Sequence, residues 1–198
     1  MKKTNNKGFS LVELIIVIAI MAILVGAIAP ALIRYIDKSR KANDVSACKT
    51  IKTAIETAMA NEDAYEELTK QPSTETTGVT TLVIEPNKKL TVTETADPNA
   101  SIITISLASG DTVTADTRNE IAKNIGDKTP KISYKKAGKK QSSVGVPTKY
   151  LALITASGSI YVGLGTAAPT EAKLLSNGKV DNTNTWYIVV PETCDDYK

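Results

Sequence analysis

The sequence predicts an α+β protein, a long N-terminal α-helix whose second half packs against an antiparallel β-sheet head. Three observations predict it. Leu14 through Ile33 contains no charged residue. Val45, Cys48, Ile51, Ile55, Ala58 and Met59 then recur at helical spacing on one face. After Gln71-Pro72 the chain turns to short runs rich in β-branched residues, separated by Pro, Gly and Asn.

The 198 residues suffice for one domain with a real core, or one domain plus an extension. Of 24 Lys and Arg, three (Lys2, Lys3 and Lys7) precede Phe9, so 24 − 3 leaves 21 against 21 Asp and Glu. A globally basic surface, the footprint of a nucleic-acid binder, is not supported. Histidine is absent, which removes the commonest general base and metal ligand. The two cysteines have no CxxC spacing. No glycine-rich phosphate loop or nucleophile motif is present, and the paired acids Asp195-Asp196 lie in a tail. No enzyme activity, cofactor or metal site is expected.

The first element is the apolar run. About twenty residues at a rise of 1.5 Å give roughly 30 Å, the thickness of a bilayer core. Apolar on all sides, the helix must be surrounded by lipid or protein. A buried core helix is one alternative. A removed secretory signal is another, with small-residue cleavage patterns at Ala27-Ile28-Ala29 and Ala29-Pro30-Ala31. The run exceeds the usual signal length, and the first cut would leave Pro30 beside it. Flanking charges do not settle orientation: Lys2, Lys3 and Lys7 stand at one end, and Arg34, Lys38, Arg40 and Lys41 against Asp37 at the other.

Glu13 sits near the edge of this run. A carboxylate at the centre of a spanning helix costs about 2.5–3.5 kcal/mol, and less near an interface. Glu13 either snorkels into the headgroups or awaits a cation. A cut after Gly8 would create one, the new amine of Phe9, in the same chain or a neighbour. An ion pair inside an apolar bundle fixes register, because a misplaced charge stays buried and unpaired.

The stretch KGFSLVELIIVIAIMAIL resembles the N-terminus of a type IV prepilin. That family has a short basic leader ending in Gly, then Phe or Met, then an apolar segment with Glu at its fifth residue. Gly8, Phe9 and Glu13 match position by position, and Pro30 coincides with a recurrent proline. The likeness covers roughly residues 1–45 and extends to the pseudopilins of secretion and competence systems. It implies the pilin fold, with a prepilin peptidase that cuts between Gly8 and Phe9 and methylates the Phe9 amine. The chain would be a structural subunit that pairs Glu13 with the Phe9 amine and polymerises with copies of itself through the pilus assembly machinery. It would reside in the cytoplasmic membrane before assembly and in a surface filament afterwards. The implied segments are a leader (1–8), a membrane and filament-core half-helix (9–36), a soluble amphipathic half (37–65) and a β-rich head (66–198). A pseudopilin and a non-polymerising membrane-anchored binding domain are the alternatives.

Within the helix, Pro30 lacks the N–H that would bond to the Gly26 carbonyl, and Gly26 is itself a poor helix former. The pair marks a weak point, either a static kink or, as the resemblance implies, a segment that extends on assembly. One helix is expected from about Ser10 to about Tyr65, with Lys52 and Glu56 as an i,i+4 pair.

In the head, Val79–Glu85 and Lys89–Glu94 are expected to pair around Pro86-Asn87-Lys88. Ser101–Ala108 is a strand with Ile103, Ile105 and Leu107 on one face, followed by a turn at Gly110-Asp111. Thr117–Asn124 is a short helix, with Thr117 and Glu120 as a capping box and Gly126 at its C-terminal cap. Tyr150–Thr155 and Ile160–Leu164 form a hairpin, and Trp186–Val190 is a last strand ended by Pro191.

Three features remain. Cys48 on the stripe and Cys194 after the final strand are a candidate disulfide in an exported chain, or else two separate thiols, one in the core and one exposed. Lys128, Lys131, Lys135, Lys136, Lys139 and Lys140, with Tyr134 among them, are either a solvated loop or a contact for DNA or another acidic polymer. Asp181-Asn182-Thr183-Asn184 resembles a calcium loop without its terminal glutamate.

Overall fold

The computed structural model describes residues 8–70, 79–92, 97–107, 113–166 and 186–198. It divides into two compact units, Met1–Ser39 and Arg40–Lys198. The described part of the first unit is helical from Leu11 onward. Its helix, α1 (Leu11–Ala58), ends within the second unit.

In the second unit α1 buries Asp44, Cys48, Ile51, Ile55 and Ala58, a stripe at alternating spacings of four and three, with Ala54 buried beside it. Val45 and Met59 flank it, half-buried. Lys52 and Glu56 form the expected pair on the outer face. The expected single helix to Tyr65 is two helices. At Ala60 and Asn61 the bonds tighten to i→i+3, reaching Thr57 and Ala58. The Asn61 side chain then accepts the Asp63 N–H at 3.0 Å and caps α2 (Glu62–Thr69). A short amide side chain that bonds its own neighbouring backbone competes with helix continuation, and here it wins.

Five strands follow: β1 (Val79–Ile84), β2 (Ile103–Ser106), β3 (Lys149–Thr155), β4 (Ile160–Gly165) and β5 (Trp186–Val190). They form one antiparallel sheet in the order β2-β1-β3-β4-β5. The β3–β4 hairpin holds the register Ile154↔Ile160. Gly158, at φ 77°, supplies the left-handed turn residue. One sheet face, with Leu82, Ile84, Tyr150, Ala152, Ile154, Val162 and Leu164, shares a core with Cys48, Ile51, Ile55 and Ala58. The other face buries Leu151, Leu153, Trp186 and Ile188.

Two expectations are corrected. Lys89–Glu94 does not pair with β1 over its described residues. β1 lies between β2 and β3, and the chain after Asn87 (φ 61°) turns onto residues 127–130. Leu90 N–H donates to Asp127 O, and Lys89 bridges Lys128. Thr129 Oγ1 fixes this crossing by donating to Glu85 O at 2.7 Å. Ile103 and Ile105 alternate with exposed residues and give β2 a buried face to offer β1, whereas over Lys89–Val92 only Leu90 is buried. The second correction concerns α3 (Ala115–Ile125), which starts two residues before its expected first residue. Its N-cap is Thr114, whose hydroxyl accepts the Thr117 N–H, so Thr117 lies inside the first turn. Glu67 of α2 completes the cap by accepting Thr114 N–H at 2.7 Å and the Thr117 hydroxyl. Glu120 instead pairs with Lys123. Gly126 closes the helix as expected. The expected turn at Gly110-Asp111 and the calcium-like loop lie outside the described residues.

Gly163 is required where β4 meets β5. The register shifts between Val162 and Gly163, and a Cβ on Gly163 would lie 2.1 Å from the Tyr187 carbonyl oxygen. The chain end is also fastened. Asp196 accepts the N–H groups of Lys139, Lys140 and Gln141 at 2.7, 3.0 and 2.8 Å. Tyr197 packs edge-on to Tyr134 and beside Tyr187.

Candidate processing and assembly site

Gly8 lies in non-helical, exposed backbone, and nothing stands within 4 Å of where its Cβ would be. Phe9 is 91 % exposed. Both residues flanking the Gly8–Phe9 bond are therefore exposed. Ser10 precedes the first helical residue, and its carbonyl accepts the Leu14 N–H at 3.2 Å.

Glu13 is then the third residue of the helix. Its carboxylate accepts the Ser10 N–H at 2.8 Å. This is one arm of a capping box, Ser10-x-x-Glu13, with the charge at the positive end of the helix dipole. The carboxylate thus sits one peptide from the Phe9 nitrogen. The Ser10-x-x-Glu13 spacing is the local sequence signal for this cap.

From Leu11 to Ile33 the large apolar side chains are between 46 % and 73 % exposed. This surface has no packing partner among the described residues of the first unit. The helix continues through Gly26 and Pro30, so the expected weak point is helical in this state. The helix is long and apolar enough to cross a membrane.

In the second unit the structure places side chains whose roles were not legible in the sequence. Asp44, on the buried stripe, accepts the N–H groups of Ser133 and Tyr134 at 2.7 and 2.9 Å. Burial raises its pKa, and the two N–H donors offset this only in part. Tyr150 Oη donates to Lys131 O at 3.2 Å, and Lys41 Nζ lies 5.2 Å from the Tyr134 ring centroid. The lysine segment 131–135 is thereby fixed to α1.

Cys48 and Cys194 are free thiols in the structure. Cys48 is fully buried, and Cys194 is half-buried against the same core rather than exposed. Burial raises both thiol pKa values. For Cys48 the charges of Asp44 and Cys194 add to this, and for Cys194 the N–H groups of Tyr197 and Asp196 oppose it. At the chain end, hydrogen bonds from Lys140 and Lys198 hold Asp195 down to about 2. Burial pushes Asp196 up, but the backbone donors of Lys140, Gln141 and Lys139 outweigh it and hold the group below its ordinary value.

A family model described as "Prokaryotic N-terminal methylation motif" matches residues 3–29. No curated protein and no solved structure matches the chain. The motif covers Gly8, Phe9, Glu13 and most of the exposed apolar surface. The chain therefore carries the prepilin leader found in type IV pilins and pseudopilins, ahead of an α+β head of pilin-like architecture.

Proposed function

We propose that this chain is the structural subunit of a type IV pilus. A prepilin peptidase cuts after Gly8 and methylates the Phe9 amine, and the assembly machinery then moves the apolar half-helix from lipid into a bundle of identical helices. The observation that carries this reading is the exposed surface from Leu11 to Ile33 in a chain bearing the methylation motif. Left in water, side chains worth roughly 1.5–3 kcal/mol each on burial would cost tens of kcal/mol together. Membrane and filament core both remove that cost, so the transfer between them keeps the surface dry throughout.

Glu13 has two successive partners in this account. Before assembly it caps its own helix through Ser10 N–H. After cleavage the Phe9 amine, one peptide away, becomes a cationic partner within the chain or from a neighbour. A carboxylate with no cation inside the bundle would be costly, so the pair sets the axial step. Head-to-tail contacts of this kind do not close and produce open filaments. Gly26 and Pro30 are where the helix yields if assembly demands it. Oxidation of Cys48 and Cys194 outside the cytoplasm would fasten the tail to α1 covalently.

The test is electron microscopy of material sheared from cells, with antibody against the head. Long filaments decorated along their length are expected. Short stubs beneath the surface would instead identify a pseudopilin, which shares the leader. Monomer retained in the membrane under all growth conditions would overturn polymerisation and favour an anchored binding domain.

A further inference from the structure

The lysine segment lines a cleft in the second unit, outside the apolar half-helix. Arg40, Asn43, Lys131, Ile132, Ser133 and Lys135 line a cleft of about 340 Å³. Arg40, Lys131 and Lys135 are exposed cations, and none of them forms an ion pair among the described residues. Among the described residues no carboxylate lines the cleft. The nearest acids along α1 are Asp37, one turn before Arg40, and Asp44, one turn after. Asp44 is buried and spends both oxygens on Ser133 and Tyr134 N–H.

Those two bonds, with Tyr150 Oη on Lys131 O, fix the backbone that carries Lys131 and Lys135 beside Arg40. Three cations held together unpaired repel one another, which favours an anion among them. A guanidinium flanked by two ammonium groups suits a phosphate monoanion, bidentate to the arginine.

Chain position identifies the source of the phosphate. Arg40 follows Ile33, the last residue of the uncharged run, by seven residues, and a long basic side chain reaches several ångströms from its backbone to keep its charge in the headgroup region. The headgroup layer outside a 30 Å hydrocarbon core is roughly 5–8 Å thick on each side. We propose that Arg40, Lys131 and Lys135 bind the phosphate of an anionic phospholipid headgroup while the subunit waits in the membrane. This rests on the reading of residues 9–36 as a retained anchor. Such a contact would orient the head at the surface before assembly, and leaving the membrane would break it.

The test uses the full chain in mixed micelles of equal phosphatidylglycerol and phosphatidylcholine, with retained lipid counted by native mass spectrometry. Each basic residue near an anionic surface contributes roughly fivefold to binding. Phosphatidylglycerol should be retained over phosphatidylcholine, Lys131→Gln should cut the preference about fivefold, and Arg40→Gln/Lys131→Gln/Lys135→Gln about a hundredfold. These positions are exposed, and unchanged Trp186 fluorescence confirms the fold of each variant. Equal retention of both lipids, or a triple variant that keeps the preference, overturns the proposal. Displacement of phosphatidylglycerol by millimolar inorganic phosphate identifies a soluble-phosphate site and overturns the lipid source. Self-association in pure phosphatidylcholine that the triple variant abolishes makes the occupant a second copy and also overturns it. Failure of the chain to enter the micelles with either lipid removes the anchor reading, and the proposal with it.

Discussion

Replacing Asp44 by Ala should loosen the head without touching the apolar half-helix. The side chain is fully buried and holds Ser133 and Tyr134 N–H at 2.7 and 2.9 Å. Removing it leaves two N–H groups without an acceptor, at about 1–3 kcal/mol each. Loss of a costly buried charge returns part of this, so the net destabilisation should be about 2–4 kcal/mol. For a unit of this size that lowers Tm by roughly 5–15 °C. Asp44→Asn keeps one acceptor and should lose about half as much. Trp186 is the only tryptophan and is fully buried in the head, so thermal unfolding followed by its fluorescence reports on the head alone. The pH dependence has a definite sign. Burial raises the folded pKa of Asp44 above its unfolded value, so the folded head binds more protons between the two. The stability of wild type relative to Asp44→Asn should therefore fall as pH rises from about 4 through the higher folded value, and return on acidification. An alanine variant melting within about 2 °C of wild type, or a difference from Asn that rises with pH, would refute the reasoning.

Other perturbations probe separate parts of the account. Gly163→Ala forces a Cβ to within 2.1 Å of a backbone oxygen and should destabilise the head by about 3 kcal/mol or prevent its folding, measured by the same fluorescence. Glu13→Ala should leave the head's melting curve unchanged but abolish or sharply reduce filament yield; wild-type yield would remove the charge-pair role. Non-reducing peptide mapping of surface-purified protein should recover Cys48 joined to Cys194, and full alkylation of both thiols without reductant would return them to plain packing residues.

The sequence was most readable where the information is local. The Ala156-Ser157-Gly158-Ser159 turn flanked by β-branched runs specified the β3–β4 hairpin, and the stripe Cys48-Ile51-Ile55-Ala58 specified the buried face of α1. Gly8, Phe9 and Glu13 could be found because the methylation motif is local in sequence. Errors arose where two local signals compete or where a partner is distant. Asn61 reads equally as a helix residue and as a cap, and only its bond to Asp63 N–H decides. Thr114 and Thr117 both suit an N-cap, and Glu67, distant in sequence, selects the first. β1 takes β2 rather than Lys89–Glu94 because Thr129 diverts the intervening chain. Asp44 looked like an ordinary charge on a helix, since nothing near it in sequence announces the Ser133 and Tyr134 amides. The cationic cleft was hidden for the same reason: Arg40 meets Lys131 and Lys135 only in the fold, where Asp44 and Tyr150 hold the 131–135 backbone.

The most direct test of the central claim is the mass of the mature N-terminus from protein isolated at the cell surface. The account predicts a chain that starts at N-methylated Phe9 and retains the whole apolar half-helix. A chain that starts near Ala31 or Leu32, or one that still begins at Met1, would contradict it.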